Sequence, residues 1–310
     1  MPVQPEQSII KALAYFDIFN YPLTQEEIIS FLDQQMGLDD VAPALQRLVA
    51  EKRIFRLGNF YSLQQDHALR TRRTTGNHNA ELLLTVGYKV GGFLYQFPFV
   101  RGIGISGSLS KNFADQDTDI DFFIITSANR LWIARTLMHL FKKLTFITGH
   151  QHWFCMNYFI DEAALRIEEQ NIFTAIEITT LIPVCGNGTM DAFFKTNNWT
   201  ACYLPNNNFP KSSLIMIRHP WYKKAAEWML NNRLGNILDN YLMKLTTRRW
   251  LQKEQQGRLN MKGERMSLRS GKHFSKPDPS YLQKRILDMY KQKVDLVIDP
   301  ASSVLTSFSG

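Results

Sequence analysis

Apolar side chains recur at helical spacing through EQSIIKALAYFDIF (6–19), and the pattern stops at Tyr21-Pro22, where proline cannot continue a helix. Thr24 stands three residues before Glu27, the spacing of a capping box, and opens a short helix with Ile28, Ile29, Phe31 and Leu32 as its apolar positions. A third helix, capped by Asp39 or Asp40, runs through VAPALQRLVAEK with Val41, Leu45, Leu48 and Val49 on one face. The period then changes. IFRLGNFYSL holds two alternating runs around Gly58-Asn59, a β-hairpin signature, and three helices followed by a hairpin is the winged-helix order. A long helix follows from about Asp66 to Phe97, with Gly87 and Gly91-Gly92 as weak points.

The next stretch, VRGIGISGSLSKNFADQDTDIDFFIIT (100–126), reads as a strand that breaks at Gly107-Ser108, turns polar for ten residues, and re-enters a strand at Asp119-Ile120-Asp121. Alternate strand residues share a face, so Asp119 and Asp121 project together while Ile120 and Phe122 point into the core. Two neighbouring carboxylates repel unless a cation lies between them, and an all-oxygen pair suits Mg²⁺ or Mn²⁺. Gly107 lets backbone amides approach a triphosphate, Ser108 adds a hydroxyl, and Lys111 faces either the phosphates or solvent.

A helix over SANRLWIARTLMHLFKKL leads to a strand, HWFCMNYFI (152–160), that contains no acid. By alternation Cys155, Asn157, Phe159 and Asp161 share one face, so Asn157 occupies the position where a third carboxylate is expected. Its amide oxygen can ligate a metal but cannot act as a general base. Asp161 and Glu162 at the strand end, and Glu177 in the following apolar helix, are the alternatives. Beyond residue 210 three helices are expected, over 219–232, 235–256 and 279–297, with a Gly/Ser/Lys-rich loop at 263–280.

Gly-Ser, ten residues and Asp-x-Asp between strands resemble the signature of the DNA polymerase β-like nucleotidyltransferase superfamily over about residues 100–128. YFDIFNYPLTQEEI is similar to the N-terminal winged-helix module that precedes such domains in a family of bacterial proteins, over about residues 6–65. NYFIDEAALRIEEQNIFTAIEITTLIPVCG and FKTNNWTACYLPN extend the resemblance to about residue 206. The resemblance implies an α+β protein: a winged helix-turn-helix at 1–75, a nucleotidyltransferase domain with a mixed sheet and flanking helices at 76–205, and a basic helical region at 206–310. It further implies Asp119 and Asp121 as ligands of paired divalent ions, with Asn157 or Asp161 completing the site, Gly107, Ser108 and Lys111 at the nucleotide, and transfer of a nucleoside monophosphate from an NTP to an acceptor hydroxyl. The acceptor is open among a protein, an RNA end and a phosphorylated metabolite. A winged-helix regulator with a degenerate, nucleotide-sensing domain is the alternative.

Charge adds a second partner class. The net charge of +8 is uneven: fourteen Lys and Arg stand against four Asp and Glu between Lys244 and Lys293. Such a block attracts phosphate-rich partners, or serves as a solvated helical face. Nucleic acid is therefore a candidate partner, through this block or through the winged helix, where Gln46, Arg47, Lys52, Arg53, Arg56, Arg70, Arg72 and Arg73 are the basic and polar positions. A homodimer through the helical C-terminus is a third arrangement. No run reaches the ~18 uncharged apolar residues of a membrane span and no secretion signal is present, so a cytoplasmic protein without a membrane partner is expected. Cys155, Cys185 and Cys202 lack any zinc or disulfide spacing.

Overall fold

The computed structural model describes residues 5–145, 153–207, 209, 219–259 and 263–298. At the N-terminus α1 (Pro5–Asp17), α2 (Gln25–Ser30) and α3 (Leu38–Ala50) precede a two-stranded antiparallel ribbon, β1 (Phe55–Leu57) and β2 (Phe60–Ser62), which turns through Gly58. The capping box forms as expected: Glu27 N–H donates to Thr24 Oγ1 at 3.2 Å, and Thr24 N–H to Glu27 Oε2 at 2.9 Å. The third helix begins earlier than its acids suggest. Gly37 is the cap residue, and Asp40 accepts the Gly37 N–H from inside the first turn at 3.2 Å.

Helix α4 (Ala68–Leu94) runs unbroken across the three glycines that read as weak points. They are points of close approach instead. A methyl at Gly87 would stand 2.8 Å from Ile105 Cδ1, and one at Gly91 2.9 Å from Val184 Cγ1. Bare glycine thus lets the helix lie directly on the sheet beneath it.

That sheet has six strands in the order β6-β3-β4-β5-β8-β7: β3 (Val100–Ser106), β4 (Asp121–Thr126), β5 (Cys155–Asp161), β6 (Ile182–Cys185), β7 (Leu268–Ser270) and β8 (Phe274–Pro277). Strand β3 is antiparallel to β4 and β6. The pair β4/β5 is parallel, as its crossover through α5 (Leu131–Thr145) requires, and β8 is antiparallel to both β5 and β7. The sheet is therefore mixed.

Alternation along the strands builds a core on each face. Ile103, Ile105, Phe122, Ile124 and Phe159 pack with Leu94 of α4 and Trp132 and Met138 of α5. Phe123, Ile125 and Ile160 pack on the other face, with Ile178 of α6 (Ile172–Thr179) and Met190 and Phe193 of α7 (Asn187–Thr196).

The C-terminal part supplies α8 (Trp221–Leu230), α9 (Arg233–Gln255) and α10 (Leu282–Ile298). The expected loop at 263–280 is a correction: it folds into the β7/β8 hairpin. Phe274 enters the core and Ser275 pairs with Phe159, which covers the edge of β5. Helix α10 returns to the N-terminal helices, where Ile286 and Tyr290 join the core of α1 and Lys293 pairs with the buried Asp17. Among the described residues no helix is long and apolar enough to cross a membrane.

Candidate functional site

The turn after β3 is set by one backbone angle. Gly107 has φ +73, the left-handed region that a side chain disfavours, and a methyl there would stand 2.4 Å from Asp121 Oδ2. Glycine therefore does two things at once, reversing the chain and making room for a carboxylate. Ser108 is exposed at the crown of the turn, and its carbonyl accepts the N–H groups of Lys111 and Phe113. A single 3₁₀ turn, Leu109–Lys111, follows, with Leu109 buried as its anchor and Asn112 left-handed at its end.

Asp119 lies in the approach to β4 and Asp121 is the first residue of that strand, with buried Ile120 between them. Asp121 stands opposite Ser106 on one side and Cys155 on the other. Its Oδ1 accepts the side-chain amide of Asn157, whose own Oδ1 lies 3.2 Å from Cys155 Sγ. Burial, followed by the nearby charge of Asp121, pushes the Cys155 thiol up to about 12, so it stays protonated and can donate to Asn157. Asp119 adds to the same effect, which places both carboxylates in the electrostatic neighbourhood of this thiol.

Asn157 reaches Asp121 through an irregularity in the strand. The pairing passes from Phe122–Met156 to Phe123–Tyr158, leaving Asn157 as the extra residue. Such a bulge re-aims a side chain and reverses the alternation beyond it. This is why the parity argument fails for Asp161. It sits opposite Thr126, six residues from Cys155 and roughly 20 Å along the strand. The structure does not bring it to Asp119 and Asp121. Asp161 is fully buried and accepts the Asn129 N–H at 2.8 Å, the Ala163 N–H at 3.0 Å and His273 Nδ1 at 2.9 Å. It is a structural carboxylate that fastens β7/β8 to the end of β5. Glu162 is at that end too, accepting the Thr189 hydroxyl.

Glu177, the remaining acid, is close to the turn but engaged. Its Oε1 receives Lys111 Nζ at 2.7 Å, and the same ammonium donates to the Gly107 carbonyl at 3.1 Å. Lys111 is thus a brace between α6 and the turn, with its side chain only 15% exposed. Sequence reasoning also missed Tyr21, whose hydroxyl donates to the Lys111 carbonyl, since a contact over ninety residues leaves no local signal.

The donor set near Gly107 is therefore two carboxylates and one amide. Among the described residues no group of three or more His, Cys, Asp and Glu is arranged to hold a metal ion. Two carboxylates still fit magnesium, which keeps several waters and takes its remaining oxygens from substrate phosphates. Three of the basic positions named for the winged helix make internal contacts: Arg47 pairs with Glu6, and from α4 Arg72 donates to the Phe19 and Asn20 carbonyls and Arg73 is buried against Glu27 and the Tyr21 ring. No protein-family model matches this chain, and neither a curated protein nor a solved structure matches it.

Proposed function

We propose that this protein is a magnesium-dependent nucleotidyltransferase. The observation that carries the reading is the seating of Asp121 against the bare Cα of Gly107, with Asp119 two residues away. Carboxylates and a phosphate-binding turn then share one strand end. Magnesium or manganese, when bound, supplies positive charge to the phosphate oxygens, and Asp119 and Asp121 are the residues that hold it.

The turn amides and the Ser108 hydroxyl orient the triphosphate. Lys111, tied to the Gly107 carbonyl and paired with Glu177, holds the turn in place behind them. Asn157 holds the Asp121 carboxylate in one orientation through its amide. An acceptor hydroxyl attacks the α-phosphorus, the new O–P bond forms as the bond to pyrophosphate breaks, and the hydroxyl proton leaves to solvent. No residue of the strand replaces the missing base.

Asn157 favours a second reading, in which the domain senses nucleotide without transferring it and the N-terminal helices and ribbon act as a winged helix. Calorimetric titration of ATP, GTP, CTP and UTP with and without Mg²⁺, run beside Asp119→Ala/Asp121→Ala, tests the site. Metal-dependent binding of a nucleotide that disappears in the double variant supports it. Absence of binding to the unaltered protein removes both readings. Labelled NTP that releases pyrophosphate in the presence of an acceptor then separates transfer from sensing.

A further inference from the structure

Helices α8 and α9 each turn charged residues inward. Lys223 is 1% exposed and donates to the carbonyls of Tyr95 at 2.7 Å and Val100 at 2.8 Å. Glu227 takes both terminal nitrogens of Arg101, at 2.8 and 2.9 Å, together with the Phe99 N–H. On α9, buried Asp239 accepts the Ile133 N–H at 2.9 Å. Leu230, Leu242 and Met243 pack inward as well, but several of the largest apolar residues do not. Trp221 and Trp228 are 80% and 84% exposed, and Met229, Leu234, Ile237 and Tyr241 are each more than half exposed.

Positions 221, 228 and 229 share one face of α8, and 234, 237 and 241 share one face of α9. These six side chains expose on the order of 900 Å² of largely apolar surface on two helices that pack against each other. An ordinary surface helix has the reverse pattern.

The surrounding charge selects the occupant. Lys224, Arg233, Lys244, Arg248 and Arg249 are exposed on the same two helices, with Lys244 and Arg248 continuing the face of Tyr241, whereas no acid of α8 or α9 is exposed. A second copy would set one basic rim against another. Nucleic acid would satisfy the cations but leave two tryptophans, Leu234 and Ile237 without an apolar environment. An acidic lipid surface meets both needs, since tryptophan and tyrosine favour the headgroup boundary and Lys and Arg pair with lipid phosphates.

We infer that α8 and α9 dock this protein on an anionic phospholipid surface as a peripheral, non-spanning contact. This revises the expectation of no membrane partner. A scan for a continuous apolar run cannot see a face assembled from two helices. Because α8 anchors at Tyr95–Arg101, where β3 begins, docking leaves the Gly107 end of that strand clear, and the inference stands independently of the transferase reading.

The test is co-sedimentation of the full chain with vesicles of phosphatidylcholine alone and of phosphatidylcholine with phosphatidylglycerol at about two to one. Binding is expected to the mixed vesicles only, and to weaken with salt. Trp221→Ala/Trp228→Ala lowers the partition by about tenfold or more. Arg248→Gln/Arg249→Gln lowers it by about fivefold per charge. Both variants keep the melting temperature of the parent, because the side chains are exposed. Equal binding to the two vesicle types, no binding to either, or an unchanged partition in the tryptophan variant overturns the inference. So does a dimer in sedimentation that the tryptophan variant abolishes, which would name a second copy as the occupant.

Discussion

Replacing Gly107 by alanine tests the central geometry with one methyl group. Two costs arise. Holding a non-glycine residue at φ +73 costs about 1–2 kcal/mol. The new methyl also begins 2.4 Å from Asp121 Oδ2, so the carboxylate must move by about 1 Å to reach an ordinary contact. It cannot move freely, because Asn157 holds its other oxygen and buried Ile120 and Phe122 fix the backbone beside it. The total is about 2–3 kcal/mol, or a fall in melting temperature of about 3–5 °C by calorimetry.

On the proposed function, the effect on activity exceeds the structural one. A displacement of about 1 Å at a reacting centre costs on the order of a hundredfold in rate, and magnesium-dependent nucleotide binding weakens with it. Gly188→Ala is the matched control. Nothing lies within 4 Å of a methyl at that position in α7, so it leaves binding unchanged and raises stability by about 0.5–1 kcal/mol. If Gly107→Ala binds Mg-nucleotide as tightly as the parent, the coupling of this glycine to Asp121 is wrong, whatever its melting temperature.

Asn157→Asp places a third acid against Asp121. Without metal it lowers the melting temperature through like-charge repulsion, and with millimolar MgCl₂ it gains more stability than the parent does; equal gains would remove Asn157 from the site. Asp161→Asn keeps one accepting oxygen but turns the other into an N–H donor facing a backbone N–H, costing about 1–3 kcal/mol by denaturant titration while leaving nucleotide affinity intact; lost affinity at full stability would restore Asp161 to the site. Burial raises the Asp239 carboxyl from 3.8 to about 6. The folded state therefore holds that proton more firmly than the unfolded state, so stability falls as pH rises from about 4 through 6 and levels above it. Asp239→Asn should flatten that decline in melting temperature measured across the same range.

Local chemistry was the readable part of this chain. The Thr24/Glu27 box, the ribbon around Gly58 and the Gly107-to-Asp121 spacing all depend on residues near one another in sequence, and each element forms where its pattern lies. The failures have a common cause in contacts made at long range. Alternation put Asp161 on one face with Asn157, but one extra residue in β5 breaks that alternation, a bulge has no compositional mark, and Asp161 lies at the far end of the strand from Asp121. The glycines of α4 looked like breaks because the sheet that comes against them is formed by residues from Val100 onward. The β7/β8 hairpin lacks an alternating apolar pattern and becomes a strand pair because β5 offers it an edge.

The same long-range contacts join the candidate site to the N-terminal helices. The Tyr21 hydroxyl holds the Lys111 carbonyl, and the Tyr21 ring meets Phe113 edge-on at 5.9 Å. Phe113 in turn covers Gly76 of α4, where a methyl would stand 2.3 Å from its ring, and carries the Arg72 guanidinium above it at 4.3 Å. Glu177 anchors Lys111 from α6, on the far side of the turn. The segment from Gly107 to Phe113 is thus gripped by the N-terminal helices, by α4 and by α6. These contacts hold the backbone of the turn from three sides, so the conformation at Gly107 is set by elements distant from it in sequence. A turn fixed in this way loses little conformational freedom when a ligand binds, which is the preorganisation that the proposed nucleotide binding would draw on.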